Sequence, residues 1–238
     1  MTDFFERQRR KFNSLVGSGS YQGFRHSATA VTFVKNQLNR CMKRLDSRKD
    51  HLRILEVGCG PGYWLLTGAD LAQSSSFKNI ELYGFDLSEE MIDLARNNLT
   101  KLPHQSQLHV GNLMEESSFE FEGANEFDLI IVYDVIQQLP YRLHRAAVRT
   151  LLRRVASGGY LCIFDHDLFS SYGIRMSIKK FITKYLGVPL LPVEYCDAVY
   201  PNISGIKRIV DDDPKIKRLT LDRCAELRKV ALLIEVAK

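Results

Sequence analysis

The chain has 238 residues, of which 45% are hydrophobic and 26% charged, values typical of a globular protein with one α/β domain. Its start is charged from the third residue and predicts no signal peptide, and no apolar run reaches the ~20 residues of a membrane-spanning helix. The five cysteines are scattered and contain no C-x-x-C pair. This pattern argues against disulfides and a zinc site and favours a cytoplasmic protein without a structural metal.

The net charge is +5, and residues 1–53 carry twelve Lys and Arg against four acids. This basic segment predicts two helices, over about 2–16 and 27–47, separated by breaker-rich residues 17–23. Such a segment can steer an anionic substrate or lie near a membrane surface, although solvated helix faces are the simpler interpretation. Nucleic acid is not favoured, because the segment has no basic motif interleaved with aromatic residues.

From residue 52 onward strands and helices alternate, which predicts a mostly parallel sheet covered by helices on both faces. The pattern predicts strands over 52–57, 80–85, 107–110, 127–133 and 160–164, with helices over 63–72, 88–99 and 141–156. Ser88 is a good N-cap, and residues 157–159 (Ser-Gly-Gly) predict the end of the third of these helices.

The pattern changes after the fifth strand. Apolar residues repeat at helical spacing over 172–186, with Lys179, Lys180 and Lys184 between them. A proline-punctuated connection follows, and then two strands over 216–223 and 230–236. Too few residues separate these strands for a helical crossover, so we expect an antiparallel hairpin.

The strongest chemical signal is the run ILEVGCGPG at residues 54–62, where a predicted strand gives way to a helix. Backbone N–H groups and the positive helix end face a ligand at such a turn, and the glycines leave room for its close approach. Glu56, at the end of the strand, is a poor neighbour for a pyrophosphate. It suits a ligand that carries an amine or a positive charge.

A second acid, Asp86, ends the next predicted strand. An acid at this place accepts hydrogen bonds from ribose hydroxyls in nucleoside-binding sheets. Leu87 and Met91 can then pack on an adenine ring. The structural alternative for Asp86 is a simple N-cap of the following helix.

These motifs, with Gly-Asn-Leu at 111–113 and the run 127–140, resemble the successive motifs of class I S-adenosylmethionine-dependent methyltransferases. The resemblance covers about residues 50–166. It implies an α/β fold with a seven-stranded, mostly parallel sheet, an antiparallel last strand and S-adenosylmethionine as cofactor. A dehydrogenase is disfavoured, because the turn reads G-x-G-x-G after Glu56 and the chain is too short for a second substrate domain.

The resemblance also implies roles for individual residues. The turn 58–62 would wrap the methionine and ribose of the cofactor, Glu56 would interact with its amino group, and Asn112 would contact the adenine amine where the family often has Asp. An N-terminal lid, residues 1–50, would cover the cofactor and present Arg25 to its carboxylate, with residues 51–238 as the methyltransferase domain. The predicted cofactor-binding residues are Glu56, Gly58, Cys59, Gly60, Gly62, Asp86, Leu87, Met91, Asn112, Leu113, Tyr133 and Arg25.

A hydroxyl or ammonium acceptor must lose a proton, so a base within hydrogen-bond reach is useful. His166, just after the fifth strand, is the first candidate, and His26 in the lid is the second. Gln137 lies where the family places groups near the methyl acceptor. His144, inside a predicted helix, is interpreted as a surface residue.

Residues 168–212 lie where the family commonly inserts substrate-recognition elements, and they predict a cap over the acceptor with Tyr195 and Tyr200. The basic helix in this cap can also rest on an anionic membrane, which would suit a lipid-linked substrate.

Residues 134–140 lack the Asn/Asp-Pro-Pro-aromatic motif of enzymes that methylate nucleobases and amides, and they resemble the small-molecule branch. The expected reaction is therefore O-methylation of a small molecule, anionic if the basic segment steers it: a glycan, a lipid-linked compound or a secondary metabolite. C-methylation of a quinone- or polyketide-like acceptor is one alternative. A non-catalytic scaffold or regulatory subunit that binds S-adenosylmethionine is another, and the oligomeric state stays open.

Overall fold

The structure is a computed structural model that describes residues 2–19, 26–45, 51–75, 77–192 and 196–238. The strands are β1 (His51–Val57), β2 (Asn79–Asp86), β3 (Gln105–Val110), β4 (Phe127–Tyr133), β5 (Val155–His166), β6 (Ile216–Cys224) and β7 (Lys229–Val236). The α-helices are α1 (Thr2–Gly17), α2 (Ala28–Met42), α3 (Tyr63–Gln73), α4 (Glu89–Leu99), α5 (His144–Arg153), α6 (Ser171–Leu186) and α7 (Ile203–Asp211).

The seven strands form one sheet in the order β3-β2-β1-β4-β5-β7-β6. Strands β1 to β5 pair in parallel, and β7 is antiparallel to both of its neighbours, β5 and β6. The predicted α/β fold, the mostly parallel sheet and the closing antiparallel hairpin are thereby confirmed.

Helices cover both faces of this sheet, because its central strands are apolar on both sides, as buried parallel strands are. On one face, α5 and α7 pack against β1, β4, β5 and β7 in one hydrophobic cluster. On the other face, α2, α3 and α4 pack in a second cluster centred on Trp64, Leu65 and Ile131. Within the described residues, no helix is both long and apolar enough to span a membrane.

The sequence predicted a helix over 141–156, which corresponds to α5, and the end predicted for it is wrong. A 3₁₀ turn occupies Tyr141–Leu143, α5 itself stops at Arg153, and β5 begins at Val155, so the glycines at 158 and 159 lie inside the strand. The Phe127 N–H donates to the Arg154 carbonyl over 2.8 Å, and Phe127 pairs with the buried Val155. Strand pairing and burial of Val155 therefore override the helical pattern at this end.

Helix α7 was not predicted, because the prolines around it indicated a plain connection. Asn202 caps it by accepting from the Gly205 N–H over 2.9 Å. The apolar residues of α7 are buried against the sheet, namely Ile203, Ile206, Ile209 and Val210.

Helix α6 is confirmed, but it presents the face opposite to the one that its amphipathic pattern suggests. Ile174, Ile178 and Phe181 are exposed to solvent, whereas Lys180 is only 9% exposed. The lysines of α6 therefore do not form one solvated face.

The N-terminal helices occupy different places. Helix α1 lies beside α4, and the Arg9 Nε donates to the Leu87 carbonyl over 3.1 Å. Helix α2, which Ser27 caps, is packed in the core through Val34 and Leu38. The lid formed by residues 1–50 stays a prediction, and α1 and His26 are the described parts of it that reach the cavity described next.

Candidate active site

One cavity of about 490 Å³ opens at the carboxyl ends of β1 to β5, with α1 and α6 on its outer side. This edge is where open α/β sheets bind ligands, and the volume falls within the roughly 300–1,000 Å³ of small-molecule pockets. The strand-end segments therefore converge on a space that suits a ligand of moderate size.

Nearly all predicted site residues in the described part of the chain line this cavity. For the cofactor these are Glu56, Gly58, Cys59, Gly60, Asp86, Leu87, Met91, Asn112, Leu113 and Tyr133. His26, Gln137, His166 and the cap residue Tyr200 line the same space. Arg25 and Tyr195 lie outside the described residues.

The glycine turn between β1 and α3 is built from left-handed backbone conformations. Gly60 has a φ of 48°, and a Cβ there would meet only the Met91 Sδ, at 4.0 Å, so the turn is open towards the cavity. Gly62, with a φ of 77°, lies outside the cavity lining; a Cβ there would lie 3.3 Å from the Ala95 Cβ. Gly62 thus allows the close packing of α3 on α4, while Gly60 leaves room for a ligand.

Asp86 ties the glycine turn to the start of α4. Its two carboxylate oxygens accept from the Gly60 N–H over 2.9 Å and from the Ser88 N–H over 3.0 Å. The hydroxyl of Ser88, not Asp86, caps α4 by accepting from the Met91 N–H. Burial raises the pKa of Asp86, and each of its oxygens has further lone pairs for donors in the cavity.

Glu56 is a buried acid at the end of β1. It accepts from the Leu65 N–H in the first turn of α3 over 2.9 Å. Burial, and to a smaller extent the neighbouring Asp86, raise its pKa well above the usual value. A ligand that brings an amine or a positive charge would favour the ionised form of both acids.

Asn112 occupies the third strand end beside the buried Leu113. Its Oδ1 accepts from the Met114 N–H over 3.0 Å, and its Nδ2 donates to Glu115 over 3.1 Å. The amide is held in one orientation by these bonds, and its oxygen retains a lone pair for one more donor. This geometry is compatible with the predicted contact to an adenine amine.

His26 lies in an aromatic cluster that lines the cavity. Its ring stacks on Trp64 at 4.5 Å between centroids, and its edge contacts Tyr63 and Tyr133 at 4.9 and 5.1 Å. Burial lowers its pKa to about 4, so the imidazole is neutral at neutral pH.

Asp134 and His166 line the part of the cavity at the ends of β4 and β5, and Lys229 contacts both from outside the cavity lining. The Lys229 side chain, from a residue 7% exposed, forms an ion pair with Asp134. Its Nζ also lies 3.4 Å from the His166 Nε2. Asp134 adopts a positive φ of 59°, which is uncommon outside glycine and is typical of functional sites. Gln137 donates from Nε2 to Asp134 over 2.8 Å and so positions this acid.

The tautomer of His166 follows from its contacts. Nδ1 lies 2.9 Å from the Arg228 carbonyl, which can only accept, so Nδ1 carries the hydrogen and Nε2 keeps its lone pair. Burial and the ammonium of Lys229 lower the pKa of His166. The rings of Tyr172 and Tyr200 flank the imidazole at 5.1 and 4.9 Å. His166 is therefore a neutral imidazole that lines the cavity and whose Nε2 accepts from the Lys229 ammonium.

Lys180 reaches the same end of the cavity from α6. Its Nζ donates to the Ala198 carbonyl over 2.7 Å and lies 4.2 Å from the centre of the Tyr200 ring. Burial lowers its pKa to about 8. Among the residues that the structure describes, no acid forms an ion pair with it.

The sequence interpretation missed two residues beside this part of the cavity and misplaced a third residue elsewhere. Lys229 belonged to the predicted hairpin connection, and Lys180 was grouped with Lys179 and Lys184 between the apolar residues of α6. His144 was interpreted as a surface residue, which is wrong: it is 3% exposed and its Nε2 lies 3.0 Å from the Leu139 carbonyl. The strand register, which places Lys229 opposite His166, is the signal that could have found the first of them.

Known proteins resemble this chain both in sequence and in structure. Residues 54–159 match the family model described as a methyltransferase domain. By this match residues 54–159 form a methyltransferase domain, and the fold that contains them is that of class I S-adenosylmethionine-dependent methyltransferases. In the part of this domain that the structure describes, no group of His, Cys, Asp and Glu is arranged to hold a metal ion.

Curated relatives of this methyltransferase domain include tRNA N(3)-cytidine methyltransferases. METTL2 of Bos taurus is 25% identical over 146 residues, covering 61% of this chain and 38% of the relative. METTL2B of Homo sapiens is 25% identical over 145 residues with the same two coverages. The chain thus matches well under half the length of these relatives.

Solved structures show the same fold. Magnesium protoporphyrin IX methyltransferase (ChlM) from Synechocystis PCC 6803, with bound S-adenosylhomocysteine, has a TM-score of 0.66 at 17% identity and covers 98% of this chain and 99% of its own. N-methyltransferase NodS from Bradyrhizobium japonicum WM9, also with S-adenosylhomocysteine, has a TM-score of 0.56 at 16% identity, with 87% of each chain covered.

The described residues fit S-adenosylmethionine. The cavity offers two acids at adjacent strand ends, an open glycine turn and a buried apolar wall formed by Met91 and Leu113. The two acids suit a ribose and an amine. The glycine turn lets the backbone approach the ligand closely, and the apolar wall suits an adenine ring.

Proposed function

We propose that this chain transfers the methyl group of S-adenosylmethionine to an oxygen atom of a small anionic acceptor. The observation that carries the proposal is the division of one cavity into two chemically different ends. The glycine turn with Asp86 lies at one end. At the other end His166 holds a neutral imidazole, with the buried Lys180 in the cavity lining and the buried Lys229 next to His166 outside that lining.

In this proposal the first end binds the cofactor. Asp86 accepts from the ribose hydroxyls, Glu56 interacts with the amino group, and Leu113 and Met91 pack on the adenine. The bound cofactor supplies a methyl group already activated on a sulfonium. The protein's part is then to align the acceptor oxygen with that methyl and to exclude water, and alignment alone can supply a large share of the rate.

His166 is the proposed base. Its Nε2 is unprotonated, because Nδ1–H donates to the Arg228 carbonyl and the nearby ammonium disfavours the imidazolium. It would accept the proton of an acceptor hydroxyl at Nε2 as that oxygen attacks, once the hydroxyl replaces the Lys229 ammonium as the donor to Nε2. Lys229, held by Asp134 outside the cavity lining, would keep a positive charge near His166 and so favour the negative charge that develops on the oxygen. His26 would shape the passage between the two ends as a neutral ring.

Lys180 is the proposed anion-binding group. A buried ammonium is costly unless a negative charge or several hydrogen bonds compensate it, and within the described residues Lys180 has one carbonyl and one aromatic ring. A carboxylate or phosphate on the acceptor would supply the missing charge. The same base would also serve C-methylation, which remains an alternative reaction at this site.

A second candidate is methylation of RNA, because the METTL2 relatives are named as tRNA methyltransferases. The two candidates differ in where the methyl group goes. Purified protein with tritium-labelled S-adenosylmethionine should label a small, anion-exchange-retained compound in a metabolite extract of the source organism, and should leave its total tRNA unlabelled. Label in tRNA would replace the small-molecule proposal.

The residue roles are tested with two matched lysine variants of α6. Lys180→Met should raise the KM for the acceptor at least tenfold, a loss of about 1.4 kcal/mol, and leave the affinity for S-adenosylhomocysteine unchanged. Lys179→Met, on the neighbouring position, should change neither value. His166→Ala should lower kcat by roughly 10²–10⁴-fold. Equal KM values for the two lysine variants would contradict the role of Lys180.

A further inference from the structure

The outer face of α6 carries a stripe of exposed apolar side chains. The α6 stripe consists of Ile174, Ile178, Phe181 and Tyr185, which are 47, 55, 57 and 68% exposed. Their spacing places all four on one side of the helix, and the rings of Phe181 and Tyr185 are in contact at 5.1 Å. The helix thus turns its apolar side to solvent and its other side to the cavity.

The stripe is part of a concentrated patch. Among the described residues, ten large hydrophobic side chains are exposed, and all except Val110 and Tyr141 lie between Phe169 and Leu190. Single exposed apolar residues are ordinary, but a contiguous apolar surface marks a site that contacts a partner or a membrane. The segment from 169 to 190 is therefore a contact surface.

The charge around the stripe indicates what the surface contacts. Residues 171–192 contain four Lys and Arg and no acid. Lys180 points to the cavity. At 100° per residue, Arg175 lies along one border of the stripe and Lys184 along the other, where it also pairs with Asp197. Apolar residues bordered by basic ones are typical of helices that lie in the headgroup region of anionic bilayers.

We propose that α6 docks this protein on an anionic lipid bilayer, with the α6 stripe inserted at the level of the headgroups and its basic borders on lipid phosphates. A second copy of the chain is a less suitable occupant. In a two-fold contact the same basic borders would face each other, and among the described residues the acid beside them, Asp197, is already paired with Lys184. The inference does not depend on the proposed function.

The location of this surface gives it a consequence for access. Met176 and Lys180, on the inner side of α6, line the cavity, as does Leu191 just beyond the helix. The bilayer surface would therefore lie about one helix diameter, roughly 10 Å, from the cavity.

Vesicle co-sedimentation tests the proposal. The full chain should pellet with vesicles of phosphatidylcholine mixed with phosphatidylserine at least about tenfold more strongly than with phosphatidylcholine alone, and added salt should weaken the binding. The double variant Ile178→Glu/Phe181→Glu should lose binding. Tyr141→Glu, which alters an equally exposed aromatic residue outside the patch, should bind as wild type does.

Retained binding of S-adenosylhomocysteine by every variant shows that the fold is intact. Wild-type protein that stays in the supernatant, or that binds both kinds of vesicle equally, would overturn the proposal. So would a dimer by light scattering that the double variant converts to monomers while wild type ignores vesicles, because the stripe would then be a subunit interface.

Discussion

Gly60→Ala tests whether the cofactor needs the space at this glycine, independently of the stability of the fold. At Gly60 the backbone has a φ of 48°, and among the described residues beyond its chain neighbours the only atom within 4 Å of an added Cβ is the Met91 Sδ, at 4.0 Å. The methyl group therefore fits the protein itself but occupies the side of the glycine turn that is open to the cavity. We expect a folded variant that no longer binds S-adenosylhomocysteine well.

The size of the stability change can be worked out from the backbone. A non-glycine residue in the left-handed region costs about 1–2 kcal/mol. For a chain of this length, each kcal/mol lowers Tm by roughly 2–4 °C, so the expected fall is about 2–8 °C. The loss in affinity should exceed tenfold, or about 1.4 kcal/mol, because a methyl group displaces the ligand from a close backbone approach.

Gly123→Ala is the matched control. Gly123 has a φ of 75° and open space around its Cβ position, so it carries the same backbone cost away from the cavity. Thermal unfolding and calorimetric titration with S-adenosylhomocysteine would be measured on both variants. Similar Tm values with a loss of affinity in Gly60→Ala alone are expected. If both variants bind as wild type does, the glycine turn does not hold the cofactor.

Two further predictions concern the titratable groups. The His26 pKa of about 4 lies below the unfolded value of 6.5, so the unfolded chain binds more protons between these values; its contribution to stability is present above pH 6.5 and is lost as pH falls towards 4. Urea midpoints should therefore fall less with pH in His26→Phe than in wild type, and an equal fall would contradict the burial argument. Lys229→Met removes the partner of Asp134 and should lower the free energy of unfolding by roughly 1–3 kcal/mol. The same change should raise the pKa of His166 in an NMR titration, since the adjacent ammonium is gone, and an unchanged pKa would refute the contact.

The fold could be predicted wherever local pattern and tertiary structure agree. Strand β4 was predicted to the residue, and α4 begins after the predicted cap Ser88. A short, continuous apolar run indicates a buried strand here, and a polar cap indicates the start of a helix. The end of α5 could not be predicted, since Val155 belongs by local pattern to a helix and by pairing with Phe127 to a strand. Such a choice depends on contacts between distant segments.

The two ends of the cavity differ in the same way. The end proposed to bind the cofactor is built from short motifs directly after strands, so the spacing of Glu56 and Asp86 along the sequence was sufficient to place both acids at one cavity. Lys229 reaches the acceptor end through the register of β5 with β7, which depends on the turn geometry of a hairpin. Lys180 was missed because an amphipathic helix normally turns its apolar side inward, and α6 does the opposite.

Because β7 lies between β5 and β6, the site is complete only after β7 has been inserted into the sheet. Gly60 and Asp86 meet across 26 residues, whereas Asp134 and Lys229 meet across 95. Closing the longer loop costs about 1 kcal/mol more chain entropy, and it must wait until Lys229 has been synthesised. A nascent chain therefore has Gly60 and Asp86 long before it has Lys229. Until β7 is inserted, Asp134 and Lys229 belong to separate parts of an unfinished sheet.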